Sequence, residues 1–341
     1  MRRAAIAVVA AVLAALAVLS VAPALAGAER AAAAPRQGQD IEVRHDLTYR
    51  HVGGDDLKLD AYIPAGGGTR PGVMVIYGGG WILGSKELSG PLARQLAGQG
   101  YVAFAMNYRL APLHPFPAAV DDVQASVSWV RDHAFDFGLD PARIGAIGGS
   151  AGGHLAAMLA TLGEGPHDRG ARISAAVSWA GPMDLHPDEF GPDSQIYLDA
   201  FLNCIGHPCD ESTVVAASPI SHVDPSDAPI LLAQGEVDQL VPPDQGLRMA
   251  DRLQAAGVDH ELLLVSDAGH DERVVQPVIQ PSLQFLRREL GEVEPGIPGS
   301  VGVGGGSGGG GLLAPAIVVS VAALAVGALV LASRSRRRVR Y

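Results

Sequence analysis

The residues best suited to chemistry in this chain are a serine, an aspartate, a histidine and two glycine-rich turns. Gly148-Gly149-Ser150-Ala151-Gly152-Gly153 follows the apolar run Ile144 to Ile147 and opens a stretch of helical period, Gly152 to Leu162. A serine on a strand-to-helix turn is forced into a strained backbone, lifts its hydroxyl over the sheet edge, and needs small neighbours for the bend. Gly-x-Ser-x-Gly alone is a weak signal in a chain with 43 Gly, and its place between strand and helix gives it weight. A phosphate loop is the competing reading, but the Gly-Lys-Ser/Thr ending is missing.

A serine hydroxyl is a poor nucleophile until a base takes its proton, and that base needs an acid to hold it in the right tautomer. On such sheets the acid and then the base come from loops at the ends of later strands. Asp238 follows the run Pro229 to Ala233, and His270 follows Glu261 to Val265. Glu236 and Asp244 are the competing acids. Of the other histidines, His114 precedes the serine, His154 falls inside a helix, and His222 and His260 precede their strands.

Acyl transfer also needs N–H donors aimed at the developing oxyanion, each worth about 10²- to 10³-fold in rate. Tyr77-Gly78-Gly79-Gly80-Trp81 directly follows the run Gly72 to Ile76 and has no side chains at its centre to block an approaching carbonyl. Gly79, Gly80 and Ala151 are the expected donors, with Gly78 in reserve, and Trp81 beside them is the expected substrate contact.

The elements that must position these groups alternate along the chain. Glycine-bounded apolar runs at Leu57 to Ile63, Gly72 to Tyr77, Tyr101 to Asn107, Ile144 to Ile147, Ala175 to Ala180, Pro229 to Ala233 and Glu261 to Val265 read as strands. Leu88 to Ala97, Ala118 to His133, Gly152 to Leu162, Pro243 to Ala256 and Pro277 to Leu290 have helical period. Alternation of this kind predicts an α/β domain over 41–290, a mostly parallel sheet with helices on both faces. The stretch 185–217 breaks the pattern and reads as an inserted loop or small cap.

The ends differ from this body. Residues 1–26 carry Arg2 and Arg3, an apolar run from Ala4 to Leu19 and Ala24-Leu25-Ala26, the features of a cleaved secretory signal, with an uncleaved anchor as the alternative. Residues 27–40 form a short N-terminal segment, and 291–311 a linker that is almost all glycine from Gly302. Residues 312–332 are uncharged and long enough for a single membrane span, with a buried core helix as the alternative. The basic tail 333–341 is expected to stay cytoplasmic, which places the body outside the membrane. Of the 25 Lys and Arg, two precede residue 27 and five follow 332, so 18 face 36 acids between them. That charge of −18 repels phosphate backbones and argues against nucleic-acid binding. In an exported body Cys204 and Cys209 are expected to form a local disulfide. Two free thiols, or a metal site with His207 that lacks a fourth ligand, are the other readings.

Gly78-Gly79-Gly80-Trp81, Asn107-Tyr108-Arg109-Leu110-Ala111-Pro112, His114-Pro115-Phe116-Pro117-Ala118-Ala119 and Gly148 to Gly153 stand in an order that resembles a known family. It is that of the α/β-hydrolase esterases of the hormone-sensitive-lipase-like group, with the related feruloyl- and acetyl-esterase-like hydrolases. The resemblance covers about residues 41–290 and implies the α/β-hydrolase fold and hydrolysis of small-molecule carboxylic esters through a seryl acyl-enzyme, with no metal or cofactor. Tyr77 stands where the group usually has His. Two other readings remain: a serine exopeptidase related to prolyl oligopeptidase, and a weakly catalytic surface module that binds rather than reacts. The first class carries a large N-terminal propeller, whereas fewer than 60 residues precede the core strands here.

Overall fold

The computed structural model describes residues 40–163 and 165–291. The expected signal at 1–26, the glycine linker, the span 312–332 and the basic tail lie outside the described residues. Among those described, no helix is long and apolar enough to cross a membrane.

In chain order the elements are β1 (Ile41–Val52), β2 (Asp55–Pro64), β3 (Arg70–Ile76), α1 (Gly90–Gly98), β4 (Val102–Met106), α2 (Ala118–Asp132), α3 (Ala134–Phe137), β5 (Leu139–Gly149), α4 (Ala151–Thr161) and β6 (Ala175–Trp179). They continue with α5 (Pro192–Phe201), α6 (Glu211–Ala217), β7 (Ile230–Gly235), α7 (Asp244–Ala256), β8 (His260–Val265) and α8 (Glu272–Leu290). The eight strands form one sheet in the order β1-β2-β4-β3-β5-β6-β7-β8. β2 pairs antiparallel with both its neighbours, and every pair from β4 to β8 is parallel. This is an α/β-hydrolase fold.

The central strands are continuous apolar runs because helices cover both faces, so no position of β3, β4, β6 or β7 meets solvent. On one face α2 supplies Val120, Val123, Val127 and Val130 at helical spacing, with Leu155 of α4 and Met249 and Leu253 of α7. On the other, α1 brings Leu92 and Leu96 and α8 brings Val278, Leu283, Phe285 and Leu286.

β1 escapes the sequence reading because it is an edge strand with only one buried residue, Tyr49, and two register shifts that interrupt any alternation. α8 starts five residues before the expected Pro277, because Asp271 caps it by accepting from the Arg273 N–H at 2.9 Å. The insertion is folded: a short turn at Pro187–Glu189, then α5 and α6, and the turn Pro219–His222. Cys204 and Cys209 form the expected disulfide across the link between α5 and α6, with Cα atoms 4.8 Å apart. Their sulfurs are therefore spent, and the neighbouring Asp199 does not complete a metal site with them.

Candidate active site

Ser150 sits between β5 and α4 with φ +55° and ψ −125°, a conformation that costs a non-glycine residue roughly 1–3 kcal/mol. The turn is held at both ends: the Ser150 N–H donates to Trp179 O at 2.7 Å, and Ser150 O accepts from the His154 N–H at 2.9 Å. Gly152 is required by contact, since a Cβ there would lie 2.1 Å from Ile76 O in the adjacent β3.

The structure brings the three polar residues together from the ends of β5, β7 and β8. His270 Nε2 lies 2.8 Å from Ser150 Oγ, and His270 Nδ1 lies 2.8 Å from Asp238 Oδ2. A carboxylate only accepts, so Nδ1 carries the proton and the Nε2 lone pair faces the serine hydroxyl. Asp238 is buried, and its carboxylate also accepts from the Leu240 and Val241 N–H groups, both at 2.9 Å, and from Gln234 Nε2 at 3.2 Å. Those donors fix which oxygen faces the imidazole. The competing acids Glu236 and Asp244 form no hydrogen bond or ion pair with His270 among the described residues.

Gly79 and Gly80 take φ of +132° and +58°, and Trp81 follows at +59°. Gly79 shares one cavity wall with Ser150, while Gly80 and Ala151 share another with it, so all three expected donors border the serine. Ala151 opens α4, where first-turn N–H groups have no intrahelical acceptor and the helix dipole favours negative charge.

Tyr77 is built into the support of this loop. Its ring stacks on Tyr108 with centroids 4.4 Å apart, and the Tyr108 hydroxyl donates to Tyr77 O at 3.1 Å. The segment Asn107–Pro112 is pinned by Asp122 of α2, which is fully buried and takes Arg109 through Nε at 2.8 Å and Nη2 at 2.9 Å and Arg50 at 2.6 Å. The same segment grips the glycine loop, with the Ala111 N–H donating to Trp81 O at 2.9 Å and Asn107 Oδ1 accepting from the Lys86 N–H at 2.7 Å. Lys86 is buried beside Asp60 at 2.8 Å. Burial alone would lower its pKa, but hydrogen bonds to Asp60, Glu87 and Asp46 outweigh this and hold it above the usual lysine range.

Trp81 is more deeply placed than its expected role as a substrate contact requires. It borders a cavity at Ser150, but it stacks on Phe201 at 4.3 Å and its indole N–H donates to His154 Nδ1 at 3.2 Å. His154, set aside in the sequence as a helix residue, is the link the sequence reading missed. It is fully buried, and its Nε2 lies 2.8 Å from Ala217 O, so one ring joins the glycine loop, α4 and the insertion. Burial lowers its pKa to about 4 and keeps it neutral. The one available signal was its position four residues after the serine, one turn into the helix that the serine turn opens.

Two cavities meet at Ser150, of about 140 Å³ and about 30 Å³. Both are walled mainly by apolar side chains, including Leu92, Val274 and Val275 in the larger and Phe190, Tyr197 and Leu240 in the smaller.

Known proteins resemble this chain. The chain is 31% identical over 196 residues to the probable carboxylic ester hydrolase LipM of Mycobacterium tuberculosis, covering 55% of this chain and 46% of LipM. It is 30% identical over 254 residues to the isoprenylcysteine alpha-carbonyl methylesterase ICME of Arabidopsis thaliana, covering 69% of this chain and 58% of that one. The chain thus spans about half the length of the curated relatives it matches. Among solved structures, Thermogutta terrifontis esterase 2 phosphonylated by sarin superposes with a TM-score of 0.64 at 28% identity, over 75% of this chain and 97% of that one. The family model BD-FAE matches residues 59–253, a span running from β2 into α7 that takes in the glycine loop, the serine turn and the loop bearing Asp238. With more than half of its length matched, and the loops around Ser150 within the match, this chain belongs to the BD-FAE family.

Proposed function

We propose that the chain is a serine esterase in which Ser150, His270 and Asp238 act as one catalytic relay. The observation that carries this reading is the continuous pair of 2.8 Å contacts from Ser150 Oγ through His270 to Asp238. Ester-hydrolase relatives and esterase structural neighbours support it.

In the first half-reaction Ser150 Oγ bonds to the ester carbonyl carbon as its proton passes to His270 Nε2. The N–H groups of Gly79, Gly80 and Ala151 receive the carbonyl oxygen as it becomes an oxyanion. His270 then gives the proton to the departing alkoxide as the carbon–oxygen bond breaks, leaving an acyl-serine. Water enters by the same route, with His270 again base and then acid, and releases the carboxylic acid. Asp238 holds the imidazole and stabilises its protonated form without taking the proton.

The body is proposed to work outside the cell, tethered by residues 312–332, on the sequence evidence of an uncharged segment followed by five arginines and preceded by an N-terminal signal. The closely spaced cysteines, joined in a disulfide, suit an oxidising compartment.

The test is hydrolysis of p-nitrophenyl esters by the purified protein and by Ser150→Ala. Loss of at least about a thousandfold in kcat is expected in the variant. Activity that survives the substitution, or none in the parent, refutes the assignment. Protease treatment of intact cells tests the placement: a body that resists while control surface proteins are cut refutes the external location.

A further inference from the structure

Four hydrogen-bond donors converge on the Asp238 carboxylate. The Leu240 and Val241 N–H groups take Oδ1, each at 2.9 Å, while Oδ2 accepts both from His270 Nδ1 at 2.8 Å and from Gln234 Nε2 at 3.2 Å. Among the described residues, Gln234 is the side chain that shares with the base the very oxygen that faces it. Gln234 lies one residue before the end of β7 and is 2% exposed. Its Nε2 also donates to Val241 O at 2.8 Å, which settles the orientation of the amide, because a carbonyl and a carboxylate can both only accept. α7 closes over the side chain, with a Cβ on Gly246 standing 3.4 Å from Gln234 Cβ.

The consequence is electrostatic. His270 gains a proton during each half-reaction, and the imidazolium is held by the charge on Oδ2. A donor already on that oxygen draws part of the charge away, so the protonated ring is held less tightly. A protonated His270 cannot act as base, and a looser hold on the proton leaves the ring free down to lower pH.

We infer that Gln234 is a positioning residue that acts on His270 through Asp238, and that by sharing Oδ2 it sets the acidic edge of the pH range in which the enzyme works. This rests on the serine-esterase reading above. The other charged groups around the pair are Asp271 and Arg273 at the start of α8, bonded to each other at 2.7 Å, Asp267 in the turn before them, and Glu236 and Asp244 on the side of α7. Tyr77 shares the larger cavity with His270, and burial pushes its hydroxyl pKa up and keeps it neutral. None of these forms a hydrogen bond with Gln234. They are the same in parent and variant, so the difference between the two reports Gln234.

The experiment measures kcat/KM of the full chain on p-nitrophenyl acetate from pH 4.5 to 9, with thermal unfolding alongside. In Gln234→Met, of similar length and without a donor, the pH of half-maximal activity on the acid side should rise by about 0.5–1 unit, while the plateau above it falls by less than about tenfold. A purely structural role predicts the reverse pattern, a lower plateau with the midpoint within about 0.2 unit of the parent's, and that result overturns the proposal, as does a midpoint that moves down. If Gln234→Met does not fold, Gln234→Asn, whose amide stops one methylene short of Oδ2, carries the same test. Loss of folding in both marks Gln234 as structural and also overturns it. The two levels fail separately: an unmoved midpoint in an enzyme that still needs Ser150 sinks the role of Gln234 alone, whereas activity in Ser150→Ala sinks the relay.

Discussion

His154→Gln is predicted to change how stability depends on pH, with a size set by the ring's surroundings. The Trp81 indole N–H can only donate and the Ala217 carbonyl can only accept, so the buried imidazole has one workable tautomer, with its proton on Nε2. A second proton would point an N–H at the Trp81 N–H in a site closed to water. Burial, with a smaller contribution from His222, accordingly pushes the pKa down from 6.5 to about 4, and the Ala217 hydrogen bond offsets part of that. The sign follows. Above pH 6.5 the ring is neutral folded and unfolded, and its full contribution is present. As pH falls below 6.5 the unfolded chain binds a proton that the folded chain refuses until near pH 4, so stability is lost through that window. Integrated from pH 7.5 to 4.5, the loss is about 2–3 kcal/mol. Glutamine offers a donor and an acceptor but no titration. The variant should be less stable than the parent at pH 7.5 by about 1–3 kcal/mol for imperfect replacement of two buried hydrogen bonds, and the gap should close or reverse at pH 4.5, moving by about 2–3 kcal/mol. Urea unfolding of both proteins at the two pH values, with m-values compared, measures this. Acidic groups elsewhere contribute equally to both proteins and cancel. A gap independent of pH would show that the ring is charged or solvated in the folded state, and the account of the Trp81 support would fail.

Two further substitutions bear on the relay and the glycine loop. Asp238→Asn would set an amide N–H against His270 Nδ1, favour the wrong tautomer and remove the lone pair at Nε2, so kcat near neutral pH should fall by roughly 10³- to 10⁴-fold with the fold unchanged by circular dichroism. A loss below about tenfold would mean that another acid orients the histidine. In Gly78→Ala the new Cβ would lie 2.6 Å from Gly149 O and 3.2 Å from Ser150 Cβ, forcing the glycine loop away from the serine turn. Activity should fall by about 10²-fold, chiefly in kcat, with about 1–3 kcal/mol lost in thermal unfolding, and unchanged kcat would show that the loop does not serve the oxyanion.

The serine turn, the glycine loop and the strand runs were legible because their demands are local. Gly148 to Gly153 announces a bend that larger side chains would block, and continuous apolar runs announce strands covered on both faces. Asp238 and His270 could be picked by position, because loops at the carboxyl ends of parallel strands gather on one rim. β1 was not legible, since an exposed edge strand with shifted register has no periodic pattern. His154 and Asp122 were hidden for the opposite reason. Each reads as an ordinary helix residue until packing sets it against partners on other elements, Trp81 and Ala217 for one, Arg50 and Arg109 for the other.

The sequence alone therefore determined the alternation of the core strands and helices and a set of candidate groups, both fixed by sterics and hydrophobic pattern within a few residues. The tertiary structure decided what those groups can do together. The order of β3, β5, β6, β7 and β8 in the sheet brings Ser150, Asp238 and His270 within hydrogen-bond reach, and the folding of 185–217 over that rim sets one cavity at about 30 Å³ beside another of about 140 Å³. Distances of this kind belong to pairs of residues far apart in the chain. They arise only when burial of both sheet faces fixes every element at once.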